Sequence, residues 1–271
     1  LITAFQDLPS VSIVTDPDNI FSHSTDPETG GIYIYTCSTG KGVGLDWERP
    51  ASVEYFDPKT QDWFQINCAL QIHGGQSRVP EKTPKHSFRI EFKSKYGPSK
   101  LDFPLFSEPE ATKRFNSVIF RANFGYTWLH WSPTERKAPK YVQDSWGKDT
   151  QLAMGHPSAH NKFVHLFLNG IYWGMYNASE RLDENFMGSY LKGKSEDFDV
   201  IKDYADVSNG TITAWNNMMA MANSGLASQA AYQKIQGNNP DGSRNQTFEP
   251  YLDVDNLIDY ILMNFYAGNN D

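Results

Sequence analysis

Apolar and polar positions divide the chain into a strand-patterned first part and a helix-patterned last part. Up to about residue 100 the apolar runs are short, as in "VSIVT", "GIYIYTC", "ASVEYF", "FQINCALQIH" and "SFRIEFK". They are rich in β-branched and aromatic residues and are broken by "DPDN", "DPETGG" and "DPKTQD", so they predict strands joined by turns. Alternation is clearest in "HSFRIEFK", where Phe88, Ile90 and Phe92 share one face and Arg89, Glu91 and Lys93 the other. That strand is expected to be half buried, with a charged face.

Beyond Phe115 the period changes. "NSVIFRANF" predicts one more strand, and "APKYVQDSWGKDTQLAMG" then places Tyr141, Val142, Ser145, Trp146, Asp149 and Leu152 at helical spacing, with Gly155 as a stop. "KFVHLFLNGIYWGMYNASE" is two apolar runs around Asn169-Gly170, a hairpin signal. "RLDENFMGSYLKG", "TITAWNNMMAMANSG" and "SQAAYQKIQG" predict helices, and "DFDVIKD" a strand. The last helix, near 254–266, carries Leu257, Ile258, Ile261, Leu262 and Phe265 on one stripe, with Asp253 or Asp255 as N-cap. The stripe is expected to pack against the helical half. A β-rich half, one inserted helix, a hairpin and a helical half make an α+β, two-lobed layout with a cleft expected between the halves.

Composition narrows the classes. With 271 residues, 39% of them hydrophobic, the chain can bury one large core or two modest ones. A formal charge of −8 and no cluster of Lys and Arg argue against a nucleic-acid partner. No apolar stretch reaches the ~20 residues of a membrane span. The start, "LITAFQDLPS", lacks the pattern of a signal peptide, so any targeting segment is removed or lies outside this sequence. Cys37 and Cys68 allow either a disulfide or two free thiols. Aromatic content of 14%, with seven Trp and fourteen Tyr, is common in secreted proteins that meet polysaccharide, although most such rings are core.

Two stretches carry candidate chemistry. In "GGQSRVPEKTPKHSFRIEFK", Gly74 and Gly75 free the backbone to turn its N–H groups toward an anion, Ser77 offers a hydroxyl, and Arg78, Lys85 and Arg89 bring three cations into one hairpin. They form either a phosphate cradle or a solvated hairpin tip. In "NASERLDENF" the strand leaves the sheet at a lobe boundary, where free backbone groups suit an adenine ring; alternatively Asp183 caps the next helix and Glu180 and Arg181 are a surface pair. His156, His160 and His165 have no interleaved Cys or carboxylate, so no metal site is assigned to them. Sequons at Asn209 and Asn245 fit exposed loops.

The blocks "GGQSR…PKHSFRIEFK", "FVHLFLNGIYWGMYNASERLDENF" and "LDVDNLIDYILMNFYAGNND", in this order and spacing, resemble the CotH kinase family, named after a bacterial spore-coat protein. The resemblance covers about residues 66 to 271. It implies a kinase-like N-lobe over 66–178, a partial helical C-lobe over 179–271, and a β-rich N-terminal extension over 1–65. It implies a secreted or cell-surface enzyme that binds ATP with Mg²⁺ and phosphorylates protein Ser or Thr, in some relatives beside polysaccharide-degrading assemblies. Gly74, Gly75, Ser77 and Arg78 would approach the phosphates, and Lys85 or Arg89 would replace the phosphate-gripping lysine, Lys85 being favoured. Residues 179–182, Glu180 among them, would form the hinge, with Asp183 near the ribose. The family's N-x-D-W-P-x-x-N pattern is similar to Asn269-Asn270-Asp271 over its first three positions, which makes Asp271 the expected catalytic base. The metal-holding remainder would lie downstream, so the 271-residue chain is expected to be inactive in phosphoryl transfer. Two departures stand out: Lys85-His86 replaces a pair of basic residues, and the helix at 141–154 has no Glu for Lys85, leaving Asp144 or Asp149. The competing reading is a carbohydrate-binding or structural cell-surface module presenting Trp47, Trp63 or Trp131.

Overall fold

A computed structural model describes residues 2–33, 47–79, 82–202 and 205–269. The chain divides into two compact units, residues 1–148 with 159–181, and residues 149–158 with 182–271. The expected Cys37 strand and Asp271 lie outside the described residues, and Cys68 is a free, buried thiol on the Ala51 carbonyl.

In the first unit, β1 (Ser10–Val14) is followed by the short helix α1 (Pro17–Phe21), then by β2 (Arg49–Phe56), β3 (Trp63–His73) and β4 (Ser87–Glu91). A small β5–β6 ladder (Leu101–Asp102 and Arg114–Phe115) precedes β7 (Ser117–Arg121). The helix α2 (Gln143–Ala153) begins in this unit and ends in the other. The hairpin of β8 (Asn161–Leu168) and β9 (Ile171–Glu180) completes the set. The seven longer strands close a barrel in the order β1-β2-β3-β4-β7-β9-β8, antiparallel everywhere except where β1 meets β8. The boundary expected at 65/66 falls inside β3, which pairs with β2 along Arg49–Phe56 and with β4 along Ser87–Glu91.

Alternation sets what faces inward. Val11, Ile13, Val53, Leu70, Ile72, Phe88, Ile90, Phe120, Val164, Leu166 and Tyr176 form one buried cluster, so the strand reading of "SFRIE" holds with Phe88 and Ile90 inside. Their burial, at tens of cal/mol per Å², is what closes the barrel. The β8–β9 turn is the expected Asn169-Gly170, with φ of 49° and 79°, the doubly positive pair that matches strand twist. The helix α2 lies on the outer face of β8 and β9: Ser145 Oγ donates to Asn161 Oδ1 (2.5 Å), and Asn177 Nδ2 donates to both.

The second unit holds α3 (Glu184–Tyr190), the ladder of β10 (Val200–Lys202) with β11 (Asp206–Asn209), α4 (Thr213–Asn223), α5 (Gln229–Ile235) and α6 (Val254–Ala267). Asp253 caps α6 by accepting from Asn256 N, and Gly268 ends it at φ 60°. The α6 stripe is not packed as the sequence suggests. Phe265 is 79% exposed and Leu257, Ile258, Ile261 and Leu262 are exposed too, because no described element lies over them. With strands and helices both present, the chain is α+β. No described helix is long and apolar enough to cross a membrane.

Candidate functional site

The outward face of β3, β4, β7 and β9 carries the polar alternates of the core strands. Pairing sets His73 opposite Ser87, Gln71 opposite Arg89, Arg89 opposite Ile119, and Arg121 opposite Asn177. Because Phe88, Ile90, Val118 and Phe120 take the inward positions, Arg89 and Arg121 must point outward.

Four guanidinium groups lie near enough to His73 to act on its charge. Burial, then the charges of Arg121, Arg89, Arg181 and Arg78, push its imidazole down to about 3, so it is neutral at physiological pH. Glu91 receives Arg89 Nε at 2.9 Å, Arg181 Nη1 at 3.3 Å and Lys93 Nζ at 2.6 Å. Asp144 of α2 receives Arg121 Nε at 3.2 Å and Lys148 Nζ at 2.7 Å, one helical turn on, and Lys148 also donates to Ser179 Oγ. Burial pushes the Asp144 carboxyl up, but Arg121 and Lys148 outweigh it and hold the group below the ordinary aspartate range. Among the described residues, Arg89, Arg181 and Lys93 thus meet Glu91, Lys93 also meets Glu48, and Arg121 and Lys148 meet Asp144, so cations outnumber carboxylates on this face, which suits a multivalent anion.

The expected residues distribute unevenly around this face. Gly74 and Gly75 are exposed at the end of β3, before a single 3₁₀ turn (Gln76–Arg78), and Gly74 has φ 107°. A Cβ there would collide with Ser77 Oγ. The Ser77 carbonyl lies 2.7 Å from His86 Nδ1. Arg78 is buried and donates back to the Ile72 carbonyl. Arg89 belongs to the cluster; Lys85 does not. Its Nζ donates to the Met175 carbonyl, lies 3.5 Å from Tyr141 Oη and sits 4.2 Å from the centre of the Tyr176 ring. Burial pushes this amine down to about 8, and no carboxylate meets it among the described residues. Glu180 is buried and accepts from both the backbone N–H of His160 and its Nδ1, each at 2.8 Å. Asp183 caps α3, accepting from Asn185 N and Phe186 N, which is the capping role read as an alternative from the sequence.

The three histidines make separate contacts. His156 Nε2 is 2.8 Å from Asp259, His160 is held by Glu180, and His165 Nδ1 is 3.0 Å from the Tyr172 hydroxyl. No group of three or more His, Cys, Asp or Glu side chains is placed to hold a metal among the described residues.

Arg121, Asp144, Lys148 and His73 were not singled out by sequence reasoning as one site. The signal was present in two pieces. In "SVIFR" the inward Val118 and Phe120 fix Arg121 outward, and Asp144 with Lys148 is an i, i+4 pair on a predicted helix. What joins them is β7 lying beside β9 with α2 across it, a long-range pairing invisible to local pattern.

No curated protein matches the chain. A comparison with protein families matches residues 70–271 to the family described as CotH kinase protein. That match runs from the middle of β3, through the arginine face and its helix, to the last residue. It spans about three quarters of the sequence, and the chain belongs to the CotH kinase family.

Proposed function

We propose that the chain binds ATP by its phosphates on the arginine face, and that, together with the metal-holding remainder expected downstream, it takes Mg²⁺ and passes the γ-phosphoryl group to a Ser or Thr hydroxyl of a protein. The observation that carries this reading is the Arg121–Asp144 ion pair. Protein kinases keep a phosphate-gripping cation on the third strand of their sheet and pair it with an acidic residue of the following helix. Counted from β3, the barrel strands run β3, β4, β7, and α2 comes next. Arg121 ends β7 and meets Asp144 on α2. The geometry favours Arg121 over Lys85 for this role, since the Lys85 amine is already spent on a backbone carbonyl and a tyrosine ring. An arginine also keeps its charge and grips phosphate oxygens in pairs.

The residues present fit a polyphosphate. The positive excess matches its charge, and the turn at Gly74, where a side chain would collide with Ser77, lets backbone approach closely. ATP supplies the phosphoryl group, and Mg²⁺ the charge that neutralises it. The chain's own part is to hold the phosphates with Arg89, Arg121 and Arg181, and to keep Arg121 aimed through Asp144. Asp271, on the strength of Asn269-Asn270-Asp271 alone, is the proposed acceptor of the hydroxyl proton.

Thermal denaturation with and without MgATP tests the reading. Nucleotide at a hundred times its Kd adds about 2.7 kcal/mol, which raises the Tm of a chain this size by about 5–10 °C. An unchanged Tm in millimolar MgATP contradicts it. In a chain extended past Asp271 through the metal-holding remainder, phosphate incorporation into an acceptor protein should fall with Asp271→Ala while the Tm rise remains.

A further inference from the structure

The part of the barrel outside the family match carries a second surface. The outer faces of β1, β2 and β3 line a groove of about 430 Å³ bounded by Ser10, Ser12, Glu54, Phe56, Trp63 and Gln65, with Tyr55 and Phe64 beside them. That volume lies in the range of small-ligand sites, ~300–1,000 Å³. Register builds the groove in two rows. Ser10, Phe56 and Trp63 lie across the three strands in one row, and Ser12, Glu54 and Gln65 in the next. An aromatic row therefore runs beside a row of hydroxyl, carboxylate and amide.

Trp63 is 69% exposed and Phe56 42%, and neither makes a ring contact among the described residues. The other tryptophans singled out from the sequence are engaged. Trp47 packs on the core beneath the Arg49 guanidinium, and Trp131 stacks on His130 at 3.7 Å and on Phe124 at 4.9 Å. Beneath the rows, Tyr55 and Phe64 stack at 5.5 Å and 6°, and Gln65 is held by a hydrogen bond from its amide to Ser52 Oγ (3.1 Å).

We propose that this groove binds a neutral saccharide, one sugar ring stacking on Trp63 and its hydroxyls bonding Ser12, Glu54 and Gln65. A pyranose offers apolar C–H faces and a rim of hydroxyls, and an aromatic row edged by donors and acceptors matches both. The lining weighs against the nearest rivals. Among the described residues its only charge is the Glu54 carboxylate, and no Lys or Arg lines it, so phosphate, sulfate and uronate groups are disfavoured. Along the groove β1 and β2 each pair on both sides, so an extended peptide could join backbone only at the Trp63–Cys68 edge of β3, which pairs with β2 alone; loss of a neutral-sugar response is the outcome that would point there.

Affinity gel electrophoresis of the whole chain through hydroxyethylcellulose, xylan, galactomannan and glycol chitin tests the proposal, with polygalacturonate as the anionic arm. Retardation by at least one neutral polymer is expected. Trp63→Ala should weaken it by at least about tenfold, the scale of losing a central aromatic anchor, whereas Trp131→Ala should match the parent. Trp63 is exposed, so its variant should keep the parent's Tm, and Glu54→Gln gives a second, milder loss. The idea is overturned by absence of retardation in all four neutral polymers, the outcome expected if a protein covers this face. Retardation that survives Trp63→Ala, or that occurs in polygalacturonate alone, overturns it equally.

Discussion

Converting Asp144 to Asn removes one negative charge and almost no volume, and it breaks both the Arg121 pair on which the phosphate reading stands and the Lys148 pair beside it. In the folded chain the carboxylate meets Lys148 at 2.7 Å and Arg121 at 3.2 Å; the Asp144 side chain is 25% exposed, Lys148 13% and Arg121 37%. Exposed pairs contribute ~0–1 kcal/mol, and breaking a buried one costs ~3–5 kcal/mol. The Lys148 contact is the drier of the two and dominates, which places the loss at about 1–3 kcal/mol and the fall in Tm at about 2–12 °C. The pH dependence has a definite sign. The folded Asp144 carboxyl sits below its ordinary value, so its contribution is full above the unfolded pKa of about 4 and fades as pH falls below that. Calorimetry of parent and Asp144→Asn at pH 7 and at pH 3 should show the gap in Tm closing at the lower pH. A cycle with Lys148→Met should give a coupling of about 1 kcal/mol. Additivity within about 0.5 kcal/mol, or a gap as wide at pH 3 as at pH 7, refutes a pair that acts as drawn.

Two further titrations follow from burial. His73 is pushed down to about 3, so the unfolded chain binds a proton that the folded one refuses, and stability should fall as pH drops from about 6.5 toward 3; His73→Gln should flatten that slope in urea titrations. Lys85 is pushed down to about 8 by burial, so the parent should gain stability between about pH 8 and 10.5, and Lys85→Met should not; an identical pH profile for the two would show that the amine is not desolvated.

The elements were largely legible because each depends on residues close in sequence. The Asn169-Gly170 hairpin needs two positive φ angles, which Asn and Gly supply, and the Asp183 and Asp253 caps follow from one side chain and the next turn. The closure of the barrel was not legible, because β1 meets β8 in parallel across some 150 residues. That closure ties residues 10–56 to the family-matched part as one barrel. Of the arginine face, Arg78 and Arg89 stand close together in one stretch of sequence, but Arg121 and Asp144 come together only through the strand order. Lys85 looked suited to phosphate on charge alone; its surroundings, a carbonyl and two tyrosines, depend on β9 and the segment before α2.

The most direct measurement is calorimetric titration of MgATP into the parent, Arg121→Gln and Lys85→Met, each checked for an unchanged fold. If Arg121 grips the phosphates, the parent binds, Arg121→Gln weakens binding by at least about tenfold, the scale of one charge-assisted contact, and Lys85→Met stays within about threefold of the parent. Binding that survives Arg121→Gln but is lost with Lys85→Met would return the role to Lys85, and no heat with the parent at millimolar MgATP would contradict nucleotide binding on the arginine face.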